Sequence, residues 1–264
     1  MRFGYGILLL GAVALAQEGD RVAVQFADPA RPGLLKGSLM NGCFNVEGYD
    51  GREVIVESRR GDKVRERRVP RGAEGLRRID PSGMGVSVEV ENNTATIKGS
   101  NVEGDLSVRV PRATSVKINC LNGGEMKLSG LTGDLEINNQ NAGVSATGIT
   151  GTVMAHSLNG KVTVVLDRIT PGKPMSFSSL NGDIDVTLPA DAKATLRART
   201  DNGETYTDFE VQLQASKPVV EDNRASGGKY KVKTDRTMVG MVNGGGPELS
   251  FKTLNGNIYI RKHK

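Results

Sequence analysis

Residues 124–164 read GEMKLSGLT GDLEINNQN AGVSATGIT GTVMAHSLN GKVTV, a pattern that returns every nine residues. Counting from Gly124, Gly133, Ala142, Gly151 and Gly160, the residues two and four places on are apolar each time. They are Met126 and Leu128, Leu135 and Ile137, Val144 and Ala146, Val153 and Ala155, and Val162 and Val164. Lys127, Glu136, Ser145 and Thr163 stand between them, with Met154 as the apolar exception. Such alternation predicts short strands with one buried face. The doubled period is sharper, because Gly130-Leu131-Thr132-Gly133 returns as Gly148-Ile149-Thr150-Gly151. Units of this length bury their apolar face only by stacking on one another, which is the logic of a solenoid.

Outward from this stretch the same phrasing continues. Upstream are Met40-Asn41-Gly42-Cys43-Phe44-Asn45-Val46, Val86 to Val90, Thr94 to Ile97, Leu106 to Val110, and Val116 to Cys120 leading into Asn122-Gly123. Downstream, Asn159-Gly160, Asn181-Gly182, Asn202-Gly203 and Asn255-Gly256 mark later units. Asn-Gly is also the strongest short hairpin signal, so an antiparallel sandwich or meander is the competing fold. The strict register decides between them. Met126, Val144 and Val162 would stack in one column, and Asn141 and Asn159 in another, whereas a hairpin sheet has no reason to keep such a repeat. The expected fold is therefore all-β, a right-handed parallel β-solenoid (β-helix) with coils of about 18–22 residues rising ~4.8 Å each. The basic tail from Arg261 would close its last open edge.

Glycine supplies 34 of 264 residues, about twice its usual share. Without a Gly-X-Y period this points to many tight turns and excludes collagen. Residues 1–16 read as a signal peptide, with Arg2, an apolar run from Gly6 to Leu15, and Ala14-Leu15-Ala16 as the cleavage site. That run is too short to span a bilayer, and no transmembrane segment is expected after cleavage. Residues 17–36 read as a leader segment. The solenoid domain is placed at 37–264, with an Arg-rich insertion at 58–83 and an irregular loop at 214–246. The net charge of +5 is local: residues 58–78 carry eight Arg and Lys63 against Asp62, Glu66 and Glu74, an excess of six. The rest of the chain is close to neutral.

The phrases Leu180-Asn181-Gly182-Asp183-Ile184-Asp185-Val186 and Leu254-Asn255-Gly256-Asn257-Ile258-Tyr259-Ile260 carry a resemblance. So do the strand ends Val110-Pro111 and Leu188-Pro189 and the Gly-rich run Gly244 to Pro247. Together, over roughly residues 37–262, the chain resembles the bacterial putative-adhesin domain of unknown function. The resemblance implies an exported β-solenoid in the cell envelope and brings no catalytic motif. It also sets a periplasmic module of an envelope-stress system beside the adhesin or scaffold reading. The Arg-rich segment departs from the family pattern.

Each chemical candidate has a plain structural counterpart. A calcium roll would need recurrent Asp, but Thr152 and Lys161 stand where Asp134 stands in its own unit. A carbohydrate-active β-helix enzyme would need converging carboxylates, and Asp134, Asp183 and Asp185 are the outward candidates. They read as solvated strand faces. His156 and His263 are the only histidines, too few for a His-based zinc site or a triad. By alternation Cys43 points out and Cys120 points in, which argues against a disulfide.

The turn residues Asn41, Gly42, Asn122, Gly123, Asn159, Gly160, Asn181, Gly182, Asn202, Gly203, Asn255 and Gly256 are expected to be structural. Their asparagines tolerate left-handed backbone and can form an amide ladder. Arg59, Arg60, Arg65, Arg67, Arg68, Arg71, Arg77 and Arg78 are the best candidates for binding a partner, since Arg suits phosphate and carboxylate. That partner would be an anionic envelope component (lipid head group, lipopolysaccharide or acidic glycan) or a membrane regulatory protein, not nucleic acid. The expectation is a non-enzymatic protein without cofactor or metal, exported to the periplasm or cell surface.

Overall fold

The computed structural model describes residues 21–59, 85–99, 102, 104–214, 219–222, 230–233 and 236–264. The signal peptide read at 1–16 and most of the Arg-rich insertion lie outside them. In chain order the strands are β1 (Arg21–Gln25), β2 (Leu34–Asn41), β3 (Phe44–Tyr49), β4 (Glu53–Arg59), β5 (Val86–Glu91), β6 (Thr94–Gly99), β7 (Asp105–Pro111) and β8 (Ser115–Asn122). There follow β9 (Met126–Ser129), β10 (Leu135–Asn139), β11 (Val144–Ile149), β12 (Val153–Ser157), β13 (Val162–Leu166), β14 (Met175–Asn181), β15 (Ile184–Leu188) and β16 (Ala194–Asn202). The last are β17 (Thr205–Thr207), β18 (Val211–Leu213), β19 (Val219–Asp222), β20 (Tyr230–Lys233), β21 (Met238–Val242), β22 (Glu248–Asn255) and β23 (Ile258–Lys262). No helix occurs among the described residues, and the chain is all-β. The segment read as a leader supplies β1 and the start of β2, and the 214–246 loop contains β19, β20 and β21.

Two parallel-rich sheets face each other in a solenoid-like stack, with one strand of each making a rung. Through the stack the rungs run β6/β7, β2/β3, β8/β9, β10/β11, β12/β13, β14/β15, β22/β23 and β16/β17. The columns expected from the repeat are present: Val144 pairs with both Met126 and Val162, and Ile137 with both Ile118 and Ala155. The inward residues of the nonapeptide units are buried, and they join one continuous core from Leu35 to Ile260. A parallel ladder works here because each strand's apolar face meets the opposite sheet, not water.

The order of rungs departs from the order of the chain at both ends. β2/β3 comes first in sequence yet lies between β6/β7 and β8/β9. β22/β23 comes last yet lies between β14/β15 and β16/β17. The tail from Arg261 therefore does not close an open edge; β17 lies beyond β23 and pairs with it through Thr205–Ile258 and Thr207–Ile260. Antiparallel strands finish three of the four sheet ends, and the parallel strand β17 finishes the fourth. β4 lies on β7 and β1 on β4, β5 on β6, and β21 on β16 with β18 beyond. Antiparallel hairpin-type pairing thus belongs to the ends of the stack, where caps protect parallel ladders from further pairing.

Candidate functional site

The Asn-Gly turns come together along one edge of the stack. Asn141 Nδ2 donates to Asn122 Oδ1 (2.8 Å), Asn159 to Asn141 (3.3 Å), Asn181 to Asn159 (2.8 Å), Asn255 to Asn181 (2.7 Å) and Asn202 to Asn255 (2.8 Å). This is the expected amide ladder, and Asn41 stands in register with Asn122. The ladder asparagines do not use left-handed backbone. Among the described residues the non-glycine positions with positive φ are Asn92, Asn93 and Asn243. Except at Asn141, which Ala142 follows, the residue after each ladder asparagine is a glycine required by close packing of rungs: a Cβ on Gly123 would fall 2.2 Å from the Gly42 carbonyl oxygen.

Beneath the ladder a second polar column faces inward, and alternation alone did not single it out. Cys120, Asn139, Ser157, Ser179, Thr253 and Thr200 are consecutive pairs in register. Ser157 Oγ donates to Ala142 O (2.9 Å), Ser179 Oγ to Gly160 O (2.9 Å), Thr253 Oγ1 to Gly182 O (3.0 Å) and Thr200 Oγ1 to Gly256 O (2.9 Å). Each turn carbonyl is thereby satisfied from inside the core, as a buried acceptor must be. The signal in the sequence is a hydroxyl two places before the asparagine at Asn159-Gly160, Asn181-Gly182, Asn202-Gly203 and Asn255-Gly256.

Outside the ladder runs an apolar column. Met40, Leu158, Leu180 and Leu254 occupy the place before the turn asparagine, as does Leu121, and Met40 is 54% exposed. Leu180 and Leu254 are also exposed, and Leu121 and Leu158 half-buried. These leucines lie on the outward parity of strands whose inward residues include Met175, Phe177 and Ser179, so their exposure was legible. Gln140 takes this place before Asn141 and Asp201 before Asn202, so the row of amides is flanked by two apolar stretches, Met40 with Leu121 and Leu158 with Leu180 and Leu254.

The carboxylates named from sequence are engaged by neighbouring rungs. Asp134 accepts from the Thr152 hydroxyl (2.6 Å) and N–H (3.0 Å) and from Lys173 Nζ (2.9 Å). Asp185 accepts from Lys161 Nζ (2.9 Å) and Arg261 Nε (2.8 Å). Asp183 accepts from the Asn257 N–H (2.8 Å). Desolvation pushes the Asp134 and Asp185 carboxyls up, but these hydrogen bonds and cations outweigh it and leave both below the usual carboxylate value. His156 Nδ1 meets Ser178 Oγ at 2.9 Å on the outer face of its sheet. His263 Nδ1 lies 3.1 Å from the Lys264 carbonyl oxygen. Among the described residues no group of three or more His, Cys, Asp or Glu is placed to hold a metal.

An open groove of about 660 Å³ lies on the opposite side of the stack, between the loops carrying Asp167 and Arg168, Asp191 and Lys193, and Gly245 and Gly246. Of the eight arginines expected to bind a partner, Arg59 is the last residue of β4. Arg60, Arg65, Arg67, Arg68, Arg71, Arg77 and Arg78 lie outside the described residues.

The side expected of Cys43 is overturned as well. Cys43 does not point outward; it is fully buried, as is Cys120 nearly so. Cys43 sits in the turn after Gly42, whose φ of 96° breaks the extended backbone on which parity depends.

Comparison with known proteins places these features in context. The family model described as Toastrack DUF4097 matches residues 76–237, more than half of the chain. No curated protein matches the chain. Among solved structures the chain is similar to a putative cell adhesion protein of Clostridium sporogenes, at 12% identity over 93% of this chain and 100% of that one, with a TM-score of 0.40. It is also similar to a putative adhesin of Bacteroides fragilis, at 11% identity over 92% and 96%, with a TM-score of 0.38.

Proposed function

The chain belongs to the Toastrack DUF4097 family, and from that premise we propose that it is a non-enzymatic exported protein of the cell envelope. It acts as an adhesin-like scaffold that presents the repeated edge of its stack to a partner. The rungs wind right-handed in coils of about 18–22 residues, the hand that parallel β crossovers favour. The observation that carries this reading is the run of Leu158, Leu180 and Leu254 on three successive rungs beside the amide ladder, with Met40 and Leu121 beyond Gln140. A strand face in water usually places polar residues outward, and apolar side chains set outward on successive rungs mark a contact surface. The arginines of 59–78 add an anchor for anionic lipid head groups, lipopolysaccharide phosphates or acidic glycans.

The test uses the chain from Gln17, a variant with the eight arginines changed to Ser, and a variant carrying Leu158→Ser, Leu180→Ser and Leu254→Ser. Binding to anionic vesicles, lipopolysaccharide and peptidoglycan is measured across a salt series. Binding that weakens with salt and disappears in the arginine variant supports the anchor. Salt-insensitive binding or self-association lost in the leucine variant supports the displayed edge. If none of the three proteins binds and the parent chain does not self-associate, the scaffold reading fails.

A further inference from the structure

The inward polar column changes character at one rung. Where other rungs place Asn139, Ser157, Ser179, Thr253 or Thr200, strand β8 places Cys120, and its partner in β2 is Leu39. The adjoining rung supplies a second thiol from across the turn. Asn41 pairs with Asn122, and the Gly42 N–H donates to Asn122 O at 3.1 Å. That contact lays the 41–43 turn directly on the 122–124 turn. Cys43 Sγ lies 3.1 Å from Gly124 O, and its Cβ is 3.3 Å from where a Cβ on Gly123 would stand. On later rungs the inward residue in the place of Cys120 reaches the residue after the asparagine of the preceding turn, Ser157 to Ala142 O and Ser179 to Gly160 O; for Cys120 that residue is Gly42, the neighbour of Cys43. Cys43 is 0% exposed and Cys120 3%.

We propose that Cys43 and Cys120 form a disulfide site that fastens the inserted β2/β3 rung to the β8/β9 rung when the chain folds in oxidising surroundings. In the reaction a thiolate of one cysteine attacks a disulfide oxidant such as oxidised glutathione, releasing one glutathione thiol and leaving a mixed disulfide. The thiolate of the other cysteine attacks the protein sulfur of that mixed disulfide and releases the second glutathione. Two protein thiols are oxidised to one disulfide while one glutathione disulfide is reduced to two thiols.

The position gives the bond a purpose. The β2/β3 rung is first in the chain, but both of its stacked neighbours come much later in sequence. The bond would close a long loop holding β3 to β7 and the Arg-rich segment, and constraint of the unfolded chain grows with loop length. Burial sets the timing. Both sulfurs are sealed from solvent in the folded protein, so a disulfide oxidant cannot reach either of them there. Oxidation belongs to folding, before the rung is sealed, and the finished bond is shielded from reductant. The inference is independent of the envelope reading; it requires only an oxidising milieu.

The full chain is unfolded with reductant, refolded in oxidised and reduced glutathione, then denatured and treated with N-ethylmaleimide. The expected product carries no maleimide, weighs about 2 Da less than the dithiol, and yields a Cys43–Cys120 linked peptide that reductant releases. Its melting temperature is expected about 10 °C above that of the same chain refolded with reductant. In the folded oxidised protein the bond should resist reductant until denaturant is added. Two maleimide adducts after oxidative refolding to a native melt would overturn the proposal, as would glutathione held separately on each cysteine or a disulfide-linked dimer. All readouts use the unmutated chain, so no variant has to fold.

Discussion

The two inserted rungs solve one problem in different ways. At the C-terminal end, β22/β23 continues every column it enters. Phe251 stacks on Phe177 with ring centroids 5.2 Å apart, Leu249 pairs with Met175 and Leu196, and Thr253 pairs with Ser179 and Thr200. Asn255 bridges Asn181 and Asn202 in the ladder. At the N-terminal end, β2/β3 keeps the pairs Leu35–Val116, Val46–Leu128 and Asn41–Asn122 but interrupts two inward columns. Leu39 replaces the hydroxyl, and the Phe44 ring fills space left by Gly37, where a Cβ would lie 2.5 Å from Phe44 Cζ. The C-terminal insertion is specified by repetition, since the rung matches the partners on both sides. The N-terminal insertion is specified by shape, a large ring against a missing side chain.

The largest effects should come from the two buried rings. Phe44→Ala and Phe251→Ala are each expected to lose about 3–5 kcal/mol in equilibrium urea denaturation. The sharper comparison is Gly37→Ala. Alone it overpacks Phe44 and should cost about 1–3 kcal/mol. In a Phe44→Leu background the added methyl has room, and most of that cost should vanish in the double-mutant cycle. If Gly37→Ala costs the same in both backgrounds, the shape-based account of the N-terminal insertion is wrong.

Smaller effects belong to the ladder. Asn255 both donates to Asn181 and accepts from Asn202, so Asn255→Ala breaks two amide bonds and should cost about 1–2 kcal/mol. Hydrogen exchange should then quicken at β22 and β16 ahead of β10 and β12, because a stack transmits such losses mainly to nearest neighbours. Exchange that quickens evenly along the stack would mean that the ladder acts as one cooperative unit.

The columns at Met126, Val144 and Val162 and the ladder at Asn141 and Asn159 were readable because strand parity and repeat length carry them directly. Rung order was not readable. Leu249 and Phe251 present the same inward pattern whether their strand is stacked last or slipped in between, so alternation says nothing about which neighbours they choose. Parity also failed to cross the turn at Gly42, which is why Cys43 was placed on the wrong face. The apolar edge was half legible: Leu180 and Leu254 stood in view as letters of a repeated phrase, and only their parity shows that they face out. The inner hydroxyls at Ser157 and Ser179 were hidden because a polar residue at an inward position reads as a defect until its turn carbonyl is known.

The smallest expected effect tests whether charge helps seat the C-terminal rung. Asp185 on β15 joins Arg261 of β23 to Lys161 in the turn before β13, and its side chain is 15% exposed. Desolvation opposes ionisation there, yet the bonds from Arg261 and Lys161 prevail and hold the folded-state value below the ordinary 3.8. The sign follows from that depression. The contribution is fully present above the unfolded-state value and fades as pH falls through the lower folded one. Asp185→Asn should therefore be about 1 kcal/mol less stable than the parent at neutral pH, the scale of a partly screened ion pair. The two stability curves should converge as the medium is acidified below 3.8. Arg109 and Glu57, which join β7 to the antiparallel β4 at the other end (3.3 Å), supply the control. Glu57→Gln should leave the acid-side convergence of Asp185→Asn unchanged. If Asp185→Asn keeps its full deficit in acid, the loss lies in packing at β15, and the C-terminal insertion is held by its columns alone.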